Sequence, residues 1–293
     1  MCFCKFEGSQ KNNGRNGLER FPDSLYKYYA YNAMYNENRL RGELFFSSPI
    51  HFNDVFDAQH EIINNSDKIE ERVAIARLKE VGFENPVNVL NSLRGSDERK
   101  MEVRRRQIEH VGILCLTNSP LNLLMWAYYG NNEGYCIEYD ISKLRDSIEA
   151  KLEELNLNPK YRYLAERVSY LNSLPSAPLF FEGGNNINPF DKYFCKAKAW
   201  EHENEYRIVI SLGGDKVIQI DSIVKSITLG YNMSIDNKLS LVSKLINFPC
   251  IEIYFLRKLR GTDGFERIPF RVSESEKKNI TEFRMRIEEY SNK

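Results

Sequence analysis

An α+β fold, with a mixed or antiparallel β-sheet core and helical insertions, is what this sequence predicts. Three observations point there. Short aromatic and branched runs bounded by Gly or Pro recur along the chain, the signature of strands. Two charge-rich stretches, about 67–109 and 142–171, carry helical rather than alternating patterning. At 293 residues, 42% hydrophobic and 12% aromatic, the chain has enough apolar material for a substantial core.

Residues 1–20, rich in Gly, Asn, Lys and Ser, read as a flexible lead-in, and 21–293 as one elaborated domain. Leu25–Tyr29 reads as an aromatic strand and Asn36–Arg41 as a short helix or turn. After Gly42 comes a second strand, Glu43–Ser48, ended by Pro49. In the first insertion Ile69, Val73 and Ala76 recur at helical spacing, and Gly82, Asn85-Pro86 and Gly95-Ser96 divide it into two or three helices. Strands return at Val111–Thr117 and Gly134–Tyr139. The second insertion reads as a helix over Ser142–Leu155 and another over Lys160–Leu171. A loop with Pro175, Pro178, Gly183, Gly184 and Pro189 leads to Tyr193–Lys196 and the strand carrying Glu205. Further strands are predicted at Lys216–Ile220, Val224–Leu229 and Ile251–Phe255. Ser234 caps a helix reaching Ile246, and a polar helix over Ser275–Tyr290 follows.

The 41 basic and 41 acidic residues balance, which removes the global electrostatic case for nucleic acid as an obligatory partner. No apolar run approaches the roughly 20 residues that span a bilayer, so no membrane partner is expected. The first residues lack the apolar core of a signal peptide, and a cytoplasmic protein is expected. Cys115, Cys136, Cys195 and Cys250 sit in apolar runs as small hydrophobes. With Cys2 and Cys4 one residue apart, no Cys or His group has zinc-site spacing, and no metal is expected.

The densest chemical signal is Trp200-Glu201-His202-Glu203-Asn204-Glu205-Tyr206-Arg207. In a strand, alternate side chains share a face, which would set Glu203 beside Glu205. Two carboxylates held together repel, and one of them is expected to hold its proton more tightly. A second cluster follows Phe45-Phe46: Ser47, Ser48, His51, Asn53, Asp54 and Asp57 can shape a tight turn. With His60, residues His51, Asp54 and Asp57 recur every three positions and would line one helical stripe able to hold a metal, the basis of a nuclease or phosphodiesterase reading. A third cluster, Trp126-Ala127-Tyr128-Tyr129-Gly130 with Glu138, offers rings for stacking a flat ligand or for packing.

These motifs in this order resemble the bacterial family called domain of unknown function 2971. The resemblance rests on Leu25–Tyr28, Leu44–Pro49 with Phe52–Asp57, Met125–Tyr129 with Gly134–Ile137, Lys196 with Trp200–Arg207, and Val224–Gly230. It runs from about residue 25 to 256, with Val55 standing where the family commonly has Pro. More distantly, the order Lys27, Ser47 or Ser48, then Glu203-x-Glu205 resembles ADP-ribosyltransferases, although those carry Arg or His at the first position. That resemblance implies NAD as substrate, a protein or nucleic-acid acceptor, and a toxin or phage-defence setting with a cognate antitoxin or defence partner. It would place Glu205 at the developing positive charge, Glu203 as base, Ser47 or Ser48 at the ribose, and Lys27 at the pyrophosphate. Trp126 or Tyr128 would stack on nicotinamide, and Tyr28, Asn53, Asp54 and Arg207 would complete the binding set. The rival reading is a non-catalytic nucleotide-sensing or protein-interaction module, in which the glutamates form an ion-pair network with Arg207 and Lys196.

Overall fold

The computed structural model describes residues 22–58, 61–93, 95–154, 163–174, 176–180, 191–221, 223–276 and 279–291. The lead-in, Cys2, Cys4, His60, Pro175, Gly183, Gly184 and Pro189 lie outside them. The first part comprises β1 (Ser24–Tyr29), α1 (Asn36–Leu40), β2 (Glu43–Phe46) and β3 (Ile62–Ile63), then α2 (Glu71–Glu80), α3 (Pro86–Ser92) and α4 (Asp97–Glu109). Next come β4 (Gly112–Thr117), α5 (Leu123–Gly130), β5 (Tyr135–Asp140) and α6 (Ile141–Glu154). Short strands follow: β6 (Tyr163–Arg167), β7 (Ser169–Leu171), β8 (Ala177–Pro178) and β9 (Cys195–Ala197). The last part is β10 (Glu205–Ile210), β11 (Lys216–Gln219), β12 (Val224–Leu229), α7 (Ile235–Leu245), β13 (Glu252–Lys258), β14 (Phe265–Phe270) and α8 (Ile280–Ser291).

Eight strands form one mixed sheet in the order β14-β13-β12-β5-β1-β4-β10-β6. Within this sheet only β12 and β13 run parallel, because α7 carries the chain back between them; their other neighbours pair antiparallel. Ser234 does cap α7, its hydroxyl accepting from the Asn237 amide. One sheet face buries Leu25, Leu114, Ile137, Ile208, Ile227 and Phe255 against α6, α7, α8 and the two-stranded β2–β11 sheet. Gly42 opens β2 at φ +94, and a Cβ there would run into the Ile220 carbonyl oxygen, so only glycine fits this turn.

The helical insertion has a core of its own, in which Ala74, Leu78, Val89, Leu93 and Val103 pack with Leu179 and Phe180. The β3–β8 pairing brings those last two residues in. Of the expected Ile69–Val73–Ala76 stripe, Ile69 and Val73 pack into this core but Ala76 is exposed, and Ala74 with Leu78, one turn apart, are the buried positions of α2. The stretch read as a helix over Lys160–Leu171 holds β6 and β7 instead. The run Tyr163-Leu164-Ala165 is recruited as an edge partner of β10, and that tertiary pairing overrides local helix propensity. The strand β14 was not anticipated because Pro269 interrupts its pattern, and an edge strand tolerates it. Cys250, expected in an apolar setting, is exposed. No helix among the described residues is long and apolar enough to cross a membrane.

Candidate functional site

The sheet face opposite the main core carries the charged chemistry. Tyr26 on β1 stands across from Thr117 on β4, and Thr117 across from Glu205 on β10, so one polar row crosses three strands. Glu205 and Arg207 then share a face by strand alternation. Glu203 arrives differently. It ends a 3₁₀ turn over Lys198–Glu203, and Asn204 takes the left-handed conformation (φ 45°), which swings the chain into β10. Asn tolerates that region better than most residues. The two glutamates therefore meet across a turn, not along a strand as alternation predicted. Thr117 Oγ1 donates to the Glu203 carbonyl at 2.6 Å, and Asn122 Nδ2 to the His202 carbonyl at 2.5 Å, pinning the turn to the sheet.

Around them lies a buried ionic network. Arg207, fully enclosed, donates to Asp57 (Nη1–Oδ1 2.8 Å, Nη2–Oδ2 2.5 Å) and to Glu205 (Nε–Oε1 2.8 Å, Nη2–Oε2 3.0 Å). Its Nη1 also donates to the Tyr193 carbonyl at 2.7 Å. Lys196 Nζ sits 2.5 Å from Glu203 Oε2 and 3.4 Å from both Glu205 Oε2 and Asp57 Oδ2. The Tyr129 hydroxyl donates to Glu203 Oε1 at 2.6 Å. Three carboxylates thus face two cations, all of them at most 4% exposed.

The environment separates the two glutamates. Burial works against an ionised Glu205, but Arg207 and Lys196 outweigh it and hold the carboxyl down to about 2. Glu203 is pushed up by burial and by the adjacent Glu205 charge. Burial also opposes the charge on Lys196, yet the Glu205, Asp57 and Glu203 carboxylates raise its pKa. The Cys115 thiol is driven up by burial and the Glu205 charge, which leaves it a poor nucleophile.

Lys27 reaches the same place through a break in the sheet. β1 pairs with β5 over its whole length, Ser24 to Tyr29, but meets β4 only at Tyr26. Beyond that point the strands part, and Lys27 Nζ donates across the gap to the Cys115 carbonyl at 3.1 Å. The ammonium supplies a donor that the ladder lacks there. Burial lowers its pKa while nearby Glu205 supports its charge.

A cavity of about 80 Å³ opens here, lined by Lys27, Asn53, Cys115, Tyr129, Glu203 and Glu205 among others. Tyr28 also lines it, its hydroxyl donating to the Ser119 carbonyl at 2.8 Å. Other residues named from sequence stand elsewhere. Ser47 pairs by backbone with Ile113, and the Ser48 amide donates to Asp215 Oδ1. Neither serine lines the cavity. Asp54 accepts from the Phe56 amide and shapes the turn. Trp126 is buried behind Tyr28 with its Nε1 donating to Pro120, so it has no free face for a ligand. Tyr128 is exposed, its ring 6.3 Å from Trp200 and 6.0 Å from His202.

The metal stripe does not assemble. His51 pairs with Asp215, Asp54 with its own turn, and Asp57 with Arg207 and Lys196, while His60 lies outside the described residues. Among the described residues no group of three or more His, Cys, Asp or Glu side chains is placed to hold a metal ion.

Residues 125–208 match the family model described as Protein of unknown function (DUF2971). The matched stretch holds Tyr129, Lys196, Glu203, Glu205 and Arg207; Lys27, Asn53 and Asp57 come from outside it. No curated protein and no solved structure matches the chain. Sequence reasoning set Asp57 in a metal stripe and gave Tyr129 no role beyond the aromatic cluster. The spacing of Tyr129 from Trp126 places it one helical turn on, where it could reach a neighbouring strand, but nothing local marks Glu203 as its partner.

Proposed function

We propose that this chain acts on NAD, as a glycohydrolase or ADP-ribosyltransferase, with its reaction centre at Glu203 and Glu205. The supporting observation is that Lys27, Glu203 and Glu205 line one cavity in which one carboxyl is held ionised and the other is pushed up. In this reaction the bond between C1′ of ribose and the nicotinamide nitrogen breaks, and the pyridinium nitrogen takes the electron pair. Nicotinamide leaves neutral, so no acid is required. What is required is negative charge near C1′, which Glu205 provides, and a base for the attacking water or acceptor hydroxyl, the role of Glu203. Tyr129 gives way to the nucleophile at Glu203. With the serines elsewhere, the ribose hydroxyls fall to Asn53 and Tyr28. The cavity is well below the ~300–1,000 Å³ usual for ligand sites, so only the nicotinamide ribose enters. The adenylate half then lies outside, over Tyr128 and Trp200.

Incubation with NAD tests this. Wild type should release nicotinamide, and a folded Glu203→Gln variant should not. NAD left intact by wild type, even with cell extract supplying acceptors, refutes the proposal. The toxin or phage-defence setting, with an antitoxin or defence partner, rests on the harm that NAD loss does to the producing cell. Expression should slow growth for wild type and not for Glu203→Gln.

The non-catalytic nucleotide-sensing or interaction module is favoured by a different observation. Every carboxylate oxygen of Glu203 and Glu205 already has a protein donor. On that reading the network is structural, and the protein binds a nucleotide without turnover.

A further inference from the structure

A second, larger cavity of about 790 Å³ lies between α4 and Ile50, Glu61, Ile62 and Asn64. Ile50, Ile62 and Ile108 give it an apolar wall, and Arg104 of α4 also lines it. The Arg104 side chain is unusual for its surroundings. It is 95% enclosed by the fold, with 5% exposure, and its hydrogen bond runs to a neutral group, the Ala58 carbonyl at 2.5 Å. A buried guanidinium is normally matched by a carboxylate.

The acidic residues in this cavity do not meet that need. Glu102 is engaged by Arg99 at 2.5 Å and Arg106 at 3.2 Å, Asp97 by Lys100 at 2.6 Å, and Glu61 is exposed. Burial opposes the charge on Arg104. Arg105, largely exposed, also lines the cavity and has only a loose partner, Glu109, at 3.7 Å.

We propose that this cavity binds a small phosphate-bearing molecule, with the Arg104 guanidinium as its anchor and Arg105 as a supporting cation. A guanidinium offers a planar pair of donors matched to phosphate oxygens. The volume lies within the ~300–1,000 Å³ of small-molecule sites, so it accommodates a mononucleotide with its apolar part against the isoleucines. The site also touches the first one. Arg104 holds the carbonyl of Ala58, which sits at φ 57°, and the preceding residue is Asp57 of the ionic network. A ligand that draws Arg104 toward its phosphate loosens that grip and reaches Asp57 through one peptide unit. The binding site itself is independent of the NAD reading.

Calorimetric titration of the full chain with AMP, inorganic pyrophosphate and uncharged adenosine tests this. AMP and pyrophosphate should bind one per chain and adenosine far more weakly. Arg104→Met should weaken AMP by about tenfold or more. Arg105→Ala, at an exposed position, should weaken it less while leaving the fold intact. Glu203→Gln, in the other cavity, should change AMP binding far less than Arg104→Met does. Absence of binding by wild type overturns the proposal. So does AMP binding that Glu203→Gln abolishes and both arginine variants leave intact, since the ligand would then occupy the cavity at Glu205.

Discussion

Replacing Arg207 with Met isolates the energetics of the buried network. Methionine fills much of the same space, so the change removes charge and donors more than volume. Five hydrogen bonds vanish: two to Asp57, two to Glu205 and one to the Tyr193 carbonyl. Asp57, Glu203 and Glu205 would then face Lys196 alone. Breaking a buried ion pair from one side costs about 3–5 kcal/mol, because the remaining charge stays buried and unpaired. For a domain of this size that corresponds to a fall in Tm of roughly 10 °C. Urea denaturation followed by circular dichroism measures it. A second substitution tests the cause. Asp57→Asn should destabilise wild type, yet on the Arg207→Met background it removes an orphaned carboxylate and should restore about 1–2 kcal/mol of the additive expectation. Acidification should narrow the Arg207→Met deficit, since protonation relieves the excess negative charge. A single-variant loss below about 1 kcal/mol, or strict additivity in the double variant, would falsify this account of the network.

Stability against pH should show the two glutamates working in opposite directions. Glu205 is depressed to about 2 in the fold, so its contribution is present above the ordinary carboxylate range and is lost as pH falls toward 2; it amounts to about 3 kcal/mol. Glu203 is raised, so its share is present below the ordinary carboxylate pKa and fades as pH climbs through its folded value. Urea midpoints should therefore peak in mildly acidic buffer, and a profile that only rises from pH 3 to 8 contradicts the assignment. Tyr129→Phe deletes the 2.6 Å donor to Glu203, which should raise the Glu203 carboxyl further and cost about 1.5–3 kcal/mol; carbon NMR of the glutamate carboxyls reads the titration. Lys27→Met leaves the Cys115 carbonyl without its donor where β1 and β4 part, at about 1–3 kcal/mol, and faster amide exchange in β4 but not β5 would locate the damage.

Much of the fold was legible because periodicity is a local property. Val224–Leu229 forms β12 with those bounds, and the Ser234 hydroxyl caps α7, because branched alternation and a capping hydroxyl act through near neighbours. What failed depended on distant partners. Residues 163–171 are strands because β10 and β9 offer them ladders, a condition that no window of sequence displays. The closing helix starts at Ile280 rather than Ser275, since Asn279 caps it through the Thr281 and Glu282 amides.

The site divides along the same line. Glu-x-Glu drew attention as a strand motif, whereas its geometry comes from a left-handed Asn204 between a 3₁₀ turn and β10. The outcome, paired carboxyls with opposed proton affinities, needs Lys196 on a neighbouring short strand and Asp57 from a turn 150 residues away from Arg207. Ser47 and Ser48 illustrate the converse. Their order in the sequence fits the motif, but the β2–β11 sheet packs over the face that buries Leu25 and Ile208, while Glu205 points from the other. A motif read in order therefore becomes a site only when the sheet directs its members to one face. Lys27 is the exception: it alternates with Tyr26 onto the Leu25–Tyr29 face, and only the parting of β1 and β4 beside it brings its ammonium to the glutamates.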